Sequence, residues 1–139
     1  MAVADAEVKM YLDHVKVVVR DATHEALVAI AHQIEAETKV KIQENEQIDT
    51  GFMLNSTYVA TNEGSGYGQA RAAAQARNPD AKMAPEHRLS EDAVAVVVGA
   101  EYAIWQEARK SFLYAGAERV AGTTAGMTAE RVYKRVVHD

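Results

Sequence analysis

Between residues 22 and 47, apolar side chains recur at steps of three and four, and this periodicity constrains the fold more than any other feature. Polar and charged residues fill most of the positions between them. Such spacing is typical of an amphipathic α-helix that packs one face against a core. The positions that carry it are Ala26, Leu27, Ile30, Ala31, Ile34, Thr38 and Ile42. We therefore expect one helix here, with Asp21 capping its start.

The sequence before this helix does not predict a single secondary structure. Residues 4–14 favour a helix, because Val8, Tyr11 and Leu12 fit a helical stripe. Residues 15–19, with the sequence VKVVV, fit the same stripe but are also a β-branched run with a preference for strands. We predict a helix over 4–14 and leave 15–19 open between helix and strand.

Helical periodicity fails at residues 48–51, where a glycine follows short polar residues. Side chains such as those of Asp49 and Thr50 hydrogen-bond to their own backbone and end helices. Gly51 can adopt the positive φ angle that is common just past a helix. We predict a structural turn formed by Asp49, Thr50 and Gly51, with Gly51 at positive φ.

Two segments favour β-strands. Residues 52–61 are rich in aromatic and β-branched side chains that alternate in character, which predicts one strand, either directly or after a short helical turn. Residues 93–99, AVAVVVG, are almost continuously apolar, which predicts a strand buried on both faces. Together they suggest a small antiparallel sheet.

Residues 63–91 join these strands and contain three glycines, both prolines and many alanines. Their large apolar side chains are limited to Tyr67, Met83 and Leu89. We predict a long mobile loop that supplies no core, in which 70–77 forms two helical turns when something packs on it.

The rest of the chain has helical patterns at 101–121 and 128–138, with weaker propensity around 122–126. A length of 139 residues fits one domain. The predicted fold class is α+β in a single domain, 1–139. A long amphipathic helix and C-terminal helices pack on a small antiparallel sheet, with one long flexible loop between strands.

Several classes of chemistry find no support in the sequence. The absence of cysteine excludes disulfides, thiolate metal sites and cysteine nucleophiles. His24 and His32 lack the order of a carboxylate–histidine metal motif, so a solvated helix surface is the preferred interpretation. No serine has the context of a hydrolase nucleophile, and the glycines at 64–68 lack the spacing of a phosphate loop. We expect no enzyme activity, cofactor or metal.

The formal net charge of -5 argues against a general binder of polyanions. Residues 1–62 hold ten acids and five bases, whereas 63–91 hold four of each and 92–139 hold six of each. The acidic excess therefore lies in the N-terminal part. The sequence also has neither a signal-peptide pattern nor an apolar run long enough to span a membrane.

Short motifs in a fixed order run along residues 20–120. They are IDTGFMLNS at 48–56, VVVG at 96–99, YA at 102–103 followed by Glu107, and SFL at 111–113 followed by Ala115 and Ala117. Together these resemble the neck and tail-completion proteins of long-tailed bacteriophages, the gene-product-ten-like head-to-tail joining family. That family typically has a (V/I)DTG-x-L-x-x-S turn, a YA-x-x-x-E motif followed by an aromatic-Gly-Thr, and a PFL-x-P-A entry to its last helix.

This chain departs from the family outline at three points. One extra residue separates Gly51 from Leu54, ARK at 108–110 stands where the family often has its aromatic-Gly-Thr, and Ser111 replaces a proline. The resemblance implies a virion structural protein and no enzyme, assembled in the bacterial host cytoplasm. It would be a ring subunit in a tail-completion or head-closure role, in six or twelve copies at the neck.

The partners implied by the resemblance are other copies of the chain, the connector and tail-terminator proteins, and DNA in non-specific passage, with no membrane. Ring formation needs subunit interfaces, and exposed aromatic groups at helical spacing are suitable anchors. Trp105 suits an interface and a core position equally well. The residues predicted at subunit interfaces are Tyr67, Arg71, Arg77, Arg88, Tyr102, Trp105, Glu107, Phe112 and Tyr114.

A small nucleic-acid-binding or regulatory module is the alternative function. It would use the basic side chains of the 63–91 segment, including Lys82, and the basic end of the chain around Arg135. The equal number of acids in that segment weighs against this alternative. The basic end also suits the last turn of a helix, where cations interact favourably with the macrodipole.

Overall fold

The computed structural model describes residues 6–47, 51–90 and 93–138. The fold is α+β, as predicted, with six helices and a three-stranded sheet in the described part of the chain. The helices are α1 (Ala6–Glu44), α2 (Phe52–Asn55), α3 (Tyr67–Arg77), α4 (Ala103–Arg109), α5 (Leu113–Thr123) and α6 (Ala125–His138). The strands are β1 (Thr57–Thr61), β2 (Gly64–Ser65) and β3 (Val94–Val98).

Helix α1 is one continuous element of 39 residues, about 58 Å long at the standard rise per residue. The open question at 15–19 is therefore resolved as helix. β-Branched residues cost a helix only about half a kcal/mol each, so a run of valines does not stop one. The predicted start at Asp21 is wrong, because that residue lies inside the continuous helix.

The end of α1 lies earlier in the chain than predicted. The helix ends at Glu44, and Glu46 takes the left-handed position at φ 57°. The Gln47 N–H then donates to the Ile42 carbonyl at 3.1 Å, which is the wide bond of a Schellman motif. Gly51 has φ 85°, which confirms its predicted conformation, whereas Asp49 and Thr50 lie outside the described residues.

The sheet has the order β2-β1-β3, and both pairings are antiparallel. β1 and β3 pair along their whole length, from Thr57 opposite Val98 to Thr61 opposite Val94. The strand predicted within 52–61 begins at Thr57, after the short helix α2, which is the second of the two arrangements that the sequence allowed. All residues of β3 are only half-buried, so the predicted burial on both faces is wrong.

The connection between β1 and β3 does supply core residues, contrary to the prediction. It contains β2 and α3, and Ala70 joins Tyr58 and Ala60 in a buried cluster. Tyr67, Met83 and Leu89 pack against the same cluster. These apolar contacts and the small buried face of α3 give the segment the buried apolar surface that its composition does not predict.

Hydrogen bonds hold the second half of this connection against the sheet. The Tyr58 hydroxyl accepts the His87 N–H at 3.1 Å, and the Tyr67 hydroxyl donates to the Ala84 carbonyl at 3.2 Å. The Ala84 N–H donates to the Gly99 carbonyl at 2.7 Å. Residues 82–87 therefore form a strap fixed to β1, α3 and the end of β3.

The C-terminal helices run antiparallel to α1. Arg119 pairs with Glu37 at 3.4 Å, and further along Arg135 pairs with Glu25. Between these pairs, the Gln33 amide donates to the Thr128 hydroxyl at 2.7 Å. The predicted helix at 101–121 is two helices, because the chain leaves helical geometry at Lys110, which has φ -155°.

Candidate interaction surface

The junction between α4 and α5 is organised by one carboxylate. Glu107 Oε1 accepts the backbone N–H groups of Phe112 at 3.1 Å and Leu113 at 2.9 Å. Glu107 Oε2 accepts the Tyr114 N–H at 3.3 Å and the Ser111 hydroxyl at 2.7 Å. Backbone N–H groups at a helix start have no partner within the helix, so this side chain caps α5.

The environment of Glu107 favours its charged form. Partial burial acts to raise the pKa of the carboxyl group, but the hydrogen bonds from Ser111 and the three backbone N–H groups outweigh it and lower the pKa. A negative charge is also favourable at the N-terminus of a helix. Glu107 is thus an ionised cap at neutral pH.

Two side chains from the end of α1 brace the same junction. Asn45 Nδ2 donates to the Ser111 carbonyl at 2.9 Å and to Gln47 Oε1 at 3.0 Å. Gln47 Nε2 donates to the carbonyls of Gln106 at 3.2 Å and Lys110 at 3.1 Å. These bonds connect the last residues of α4 and the link after it to the longest helix of the fold.

Large apolar side chains project into solvent from this braced junction. Ile104 and Tyr114 are each 70% exposed, and Trp105 is 71% exposed. Tyr102 is 38% exposed and packs its ring against the buried Phe52, with the centroids 6.3 Å apart. We call these four residues the α4–α5 corner. Exposed apolar side chains on a fixed support are typical of protein interaction sites.

Phe112, the other aromatic residue predicted at an interface, belongs to the core. It is 1% exposed and packs in a cluster with Ile42 and Phe52. The prediction that Phe112 contacts a neighbouring subunit is wrong, because the folded chain buries it. Glu107, predicted at the same interface, makes its described hydrogen bonds within the subunit.

The predicted contacts from the 63–91 segment are also used within the chain. The Tyr67 ring packs edge-on against Tyr58, with the ring centroids 5.5 Å apart, so part of this ring is already in contact within the subunit. The Arg77 guanidinium lies beside Gly51, and Arg88 pairs with Glu86 at 3.1 Å. Arg71 is exposed on α3.

Both histidines predicted on a solvated helix surface lie on α1, but only His32 is exposed, because the His24 side chain is 24% exposed. His32 contacts Glu35 one turn later at 3.1 Å, and His24 contacts Glu63 of the β1–β2 turn at 3.6 Å. Among the described residues, no group of three or more acidic or histidine side chains is placed to hold a metal ion.

Sequence reasoning did not identify Ile104, Asn45 or Gln47. Ile104 falls outside the helical stripe through Tyr102 and Trp105, and an apolar residue outside that stripe was an available signal. No sequence signal marks Asn45 and Gln47, because their partners are carbonyls far along the chain.

Comparison with known proteins gives no relative. No family model matches the sequence, and no curated protein or solved structure matches it either. In the described part of the chain, no helix has the length and apolar character needed to cross a bilayer.

Proposed function

We propose that this chain is a structural subunit of a bacteriophage neck, which joins head to tail as part of a ring through which DNA passes. The observation that carries the proposal is the α4–α5 corner, where Ile104, Trp105 and Tyr114 are each at least 70% exposed on a hydrogen-bonded support. Large apolar anchors on a backbone that is already held in place favour stable assembly.

The motifs that resemble the neck family coincide with the support of this corner. Tyr102 and Ala103 begin α4, Glu107 caps α5, and Leu113 donates to that cap. The YA-x-x-x-E spacing thus has a physical reason in this chain, since it places a carboxylate beside the start of the next helix. The resemblance and the geometry both support an interface at this part of the chain.

The charge of the chain suits the passage of DNA. With a net charge of -5, the subunit has more carboxylates than cations, and carboxylates repel phosphates. A channel wall of this kind would let DNA move without gripping it.

Ion pairs weigh against the nucleic-acid-binding alternative. Arg88, Arg119, Lys134 and Arg135 each have a glutamate partner within the subunit. A phosphate would have to compete with these carboxylates for the same cations. Lys and Arg strengthen phosphate binding by displacing the counterions condensed on the nucleic acid, and a cation already paired with a carboxylate does this less well.

Electron microscopy of the purified protein tests the proposal. The protein should be imaged alone and after mixing with assembled portal-side connectors and tails. The expected result is ring-shaped particles with a central opening, alone or at the connector–tail junction. Particles that stay monomeric in both samples would contradict a neck-ring function.

A further inference from the structure

β3 is the last strand on one side of the sheet. In the described part of the chain the strand order is β2-β1-β3, so β3 pairs with β1 along one edge and has no strand along the other. All residues of β3 are half-buried, whereas most residues of the central strand β1 are buried. An open strand edge is ready to pair with another chain unless something protects it.

The hydrogen-bond pattern of β1 shows which backbone groups point out from this edge. Val59 lies opposite Val96, but the Val59 carbonyl accepts the Gly66 N–H at 3.1 Å, on the β2 side of β1. Residues directly opposite each other in an antiparallel pair alternate between those that bond to each other and those that point away from each other. The N–H and carbonyl groups of Val94, Val96 and Val98 therefore point away from β1.

The other end of the pairing gives the same alternation. The Gly99 N–H donates to the Ser56 carbonyl at 3.0 Å, so the next residue of β3, Val98, faces outward. Within the described residues, no hydrogen bond from outside β1 reaches the backbone between Val94 and Val98. Six backbone groups, on three alternate residues, are thus available to an added strand.

β3 lacks the features that usually keep edge strands apart. Its sequence, VAVVV, contains no charged residue and no proline, and its pairing with β1 has no bulge. The strand is apolar on both faces. Val97 packs against the cluster that contains Tyr58, and Val98 packs against the cluster that contains Ile42 and Phe52. A strand added beside β3 would therefore lie next to apolar side chains above and below the sheet.

Acidic residues flank β3 in the sequence. Glu91 and Asp92 precede it, and Glu101, which is exposed, follows it. Lys82, whose carbonyl accepts the Glu101 N–H at 3.0 Å, offsets only one of these three charges. Two β3 strands paired antiparallel about Val96 would set the acidic end of each copy against the acidic end of the other, and like charges across strands are destabilising. A segment with cations at its ends would instead meet these acids favourably.

We propose that the free edge of β3 docks an extended segment of another protein, which adds to the sheet as a fourth strand. In this mode the main-chain hydrogen bonds supply affinity and the alternate side chains supply specificity. The segment is as long as β3, apolar in its centre, and carries Lys or Arg at its ends. The inference goes beyond the proposed function, because it requires neither a ring nor the α4–α5 corner.

Hydrogen exchange, followed residue by residue, tests the docking edge with a defined peptide. The probe is a capped peptide of sequence Lys-Val-Thr-Val-Thr-Val-Lys. Without peptide, the N–H groups of Val94, Val96 and Val98 should exchange fast, and those of Ala95 and Val97, which face β1, should exchange slowly. Peptide at millimolar concentration should slow exchange at the three outward valines at least tenfold.

Two control peptides separate the contributions to binding. N-methyl groups on two consecutive residues block both edges of the peptide while the side chains remain, so this peptide should give no protection. Replacement of both lysines by glutamate should weaken binding, because the peptide then repels the acids around β3. Equal protection by the N-methylated peptide would overturn strand addition.

Variants of the protein test the same edge from the other side. Val96→Pro removes an N–H that points away from β1, so the pairing of β1 and β3 keeps its hydrogen bonds and peptide binding should be lost. Val96→Thr keeps the N–H and the branched shape, and should bind the peptide as the wild type does. If Val96→Pro does not fold, the N-methylated peptide still decides the question.

Three results would overturn the inference. One is fast exchange of the outward valines at millimolar peptide. Another is slow exchange of these valines without peptide at every protein concentration, which would show that the folded chain covers the edge. The third is protection without peptide that grows with protein concentration, which would assign the edge to a second copy. Rings seen by electron microscopy with no peptide binding would leave the proposed function standing, and peptide binding by a protein that forms no rings would leave only this inference.

Discussion

Glu107 Oε1 accepts the backbone N–H of Leu113 at 2.9 Å, so a side chain from the last turns of α4 caps the first turn of α5. Helix α4 has only seven residues, and helices of that length are not stable alone in water. The orientation of Trp105 on α4 therefore depends on this cap and on the brace from Asn45 and Gln47.

Replacement of the cap should destabilise the fold. Glu107→Gln removes the charge and one acceptor oxygen, and we expect the free energy of unfolding to fall by about 1 kcal/mol. Urea denaturation measures the change. Glu118→Gln, an exposed position on α5, is the matched control and should have little effect. Equal midpoints for wild type and Glu107→Gln would show that the cap does not stabilise the junction.

The contribution of Glu107 should depend on pH. Burial opposes ionisation, but the hydrogen bonds from Ser111 and the backbone lower the pKa of the folded carboxyl below its usual value. The unfolded chain then binds the proton more readily, so this stabilisation is present above about pH 4.3 and is lost as the pH falls through the depressed pKa. The stability difference between wild type and Glu107→Gln should shrink from neutral pH to about pH 3. A constant difference would contradict the assignment.

The contact between α1 and α5 should not tolerate a methyl group at Gly116. A Cβ there would lie 2.9 Å from the backbone N of Thr38, and Thr38 is completely buried. We expect Gly116→Ala to cost about 1–3 kcal/mol of stability, because the helices must move apart. Gly122→Ala in the same helix meets nothing within 4 Å and should be neutral or stabilising. Similar thermal midpoints for the two variants would argue against the close crossing.

Gly51 should resist substitution for a different reason. Its φ of 85° is unfavourable for any residue with a Cβ, and an added Cβ would lie 2.9 Å from Arg77 Nε. Gly51→Val should therefore cost about 1 kcal/mol or more. Gly68→Ala, in open space on α3, is the control for the loss of a glycine. An unchanged unfolding midpoint for Gly51→Val would refute the turn conformation.

The sequence predicted the elements whose signals are local. The spacing around Ile42 predicted the long helix, the valines of β3 predicted a strand, and Gly51 predicted positive φ. Each of these depends on side chains within a few positions of one another. Local patterns can therefore identify elements without knowledge of what they contact.

The errors arose where distant residues decide the structure. Residues 63–91 have few large apolar side chains, yet alanines of α3 pack against Tyr58 and stabilise the segment. Phe112 and Trp105 both lie in helical patterns, and only the three-dimensional packing places the first in the core and the second in solvent. The brace by Asn45 and Gln47 likewise connects residues that are far apart in sequence.

Native mass spectrometry of wild type and Trp105→Ala most directly tests whether copies of this chain assemble through the α4–α5 corner. The wild type should give one closed oligomer, and Trp105→Ala should give folded monomers. Met127→Ala, at a side chain 72% exposed on α6, should keep the oligomer and so controls for the loss of exposed apolar surface. A wild type that remains monomeric even with connectors and tails, or a Trp105→Ala oligomer as stable as that of the wild type, would contradict this assembly.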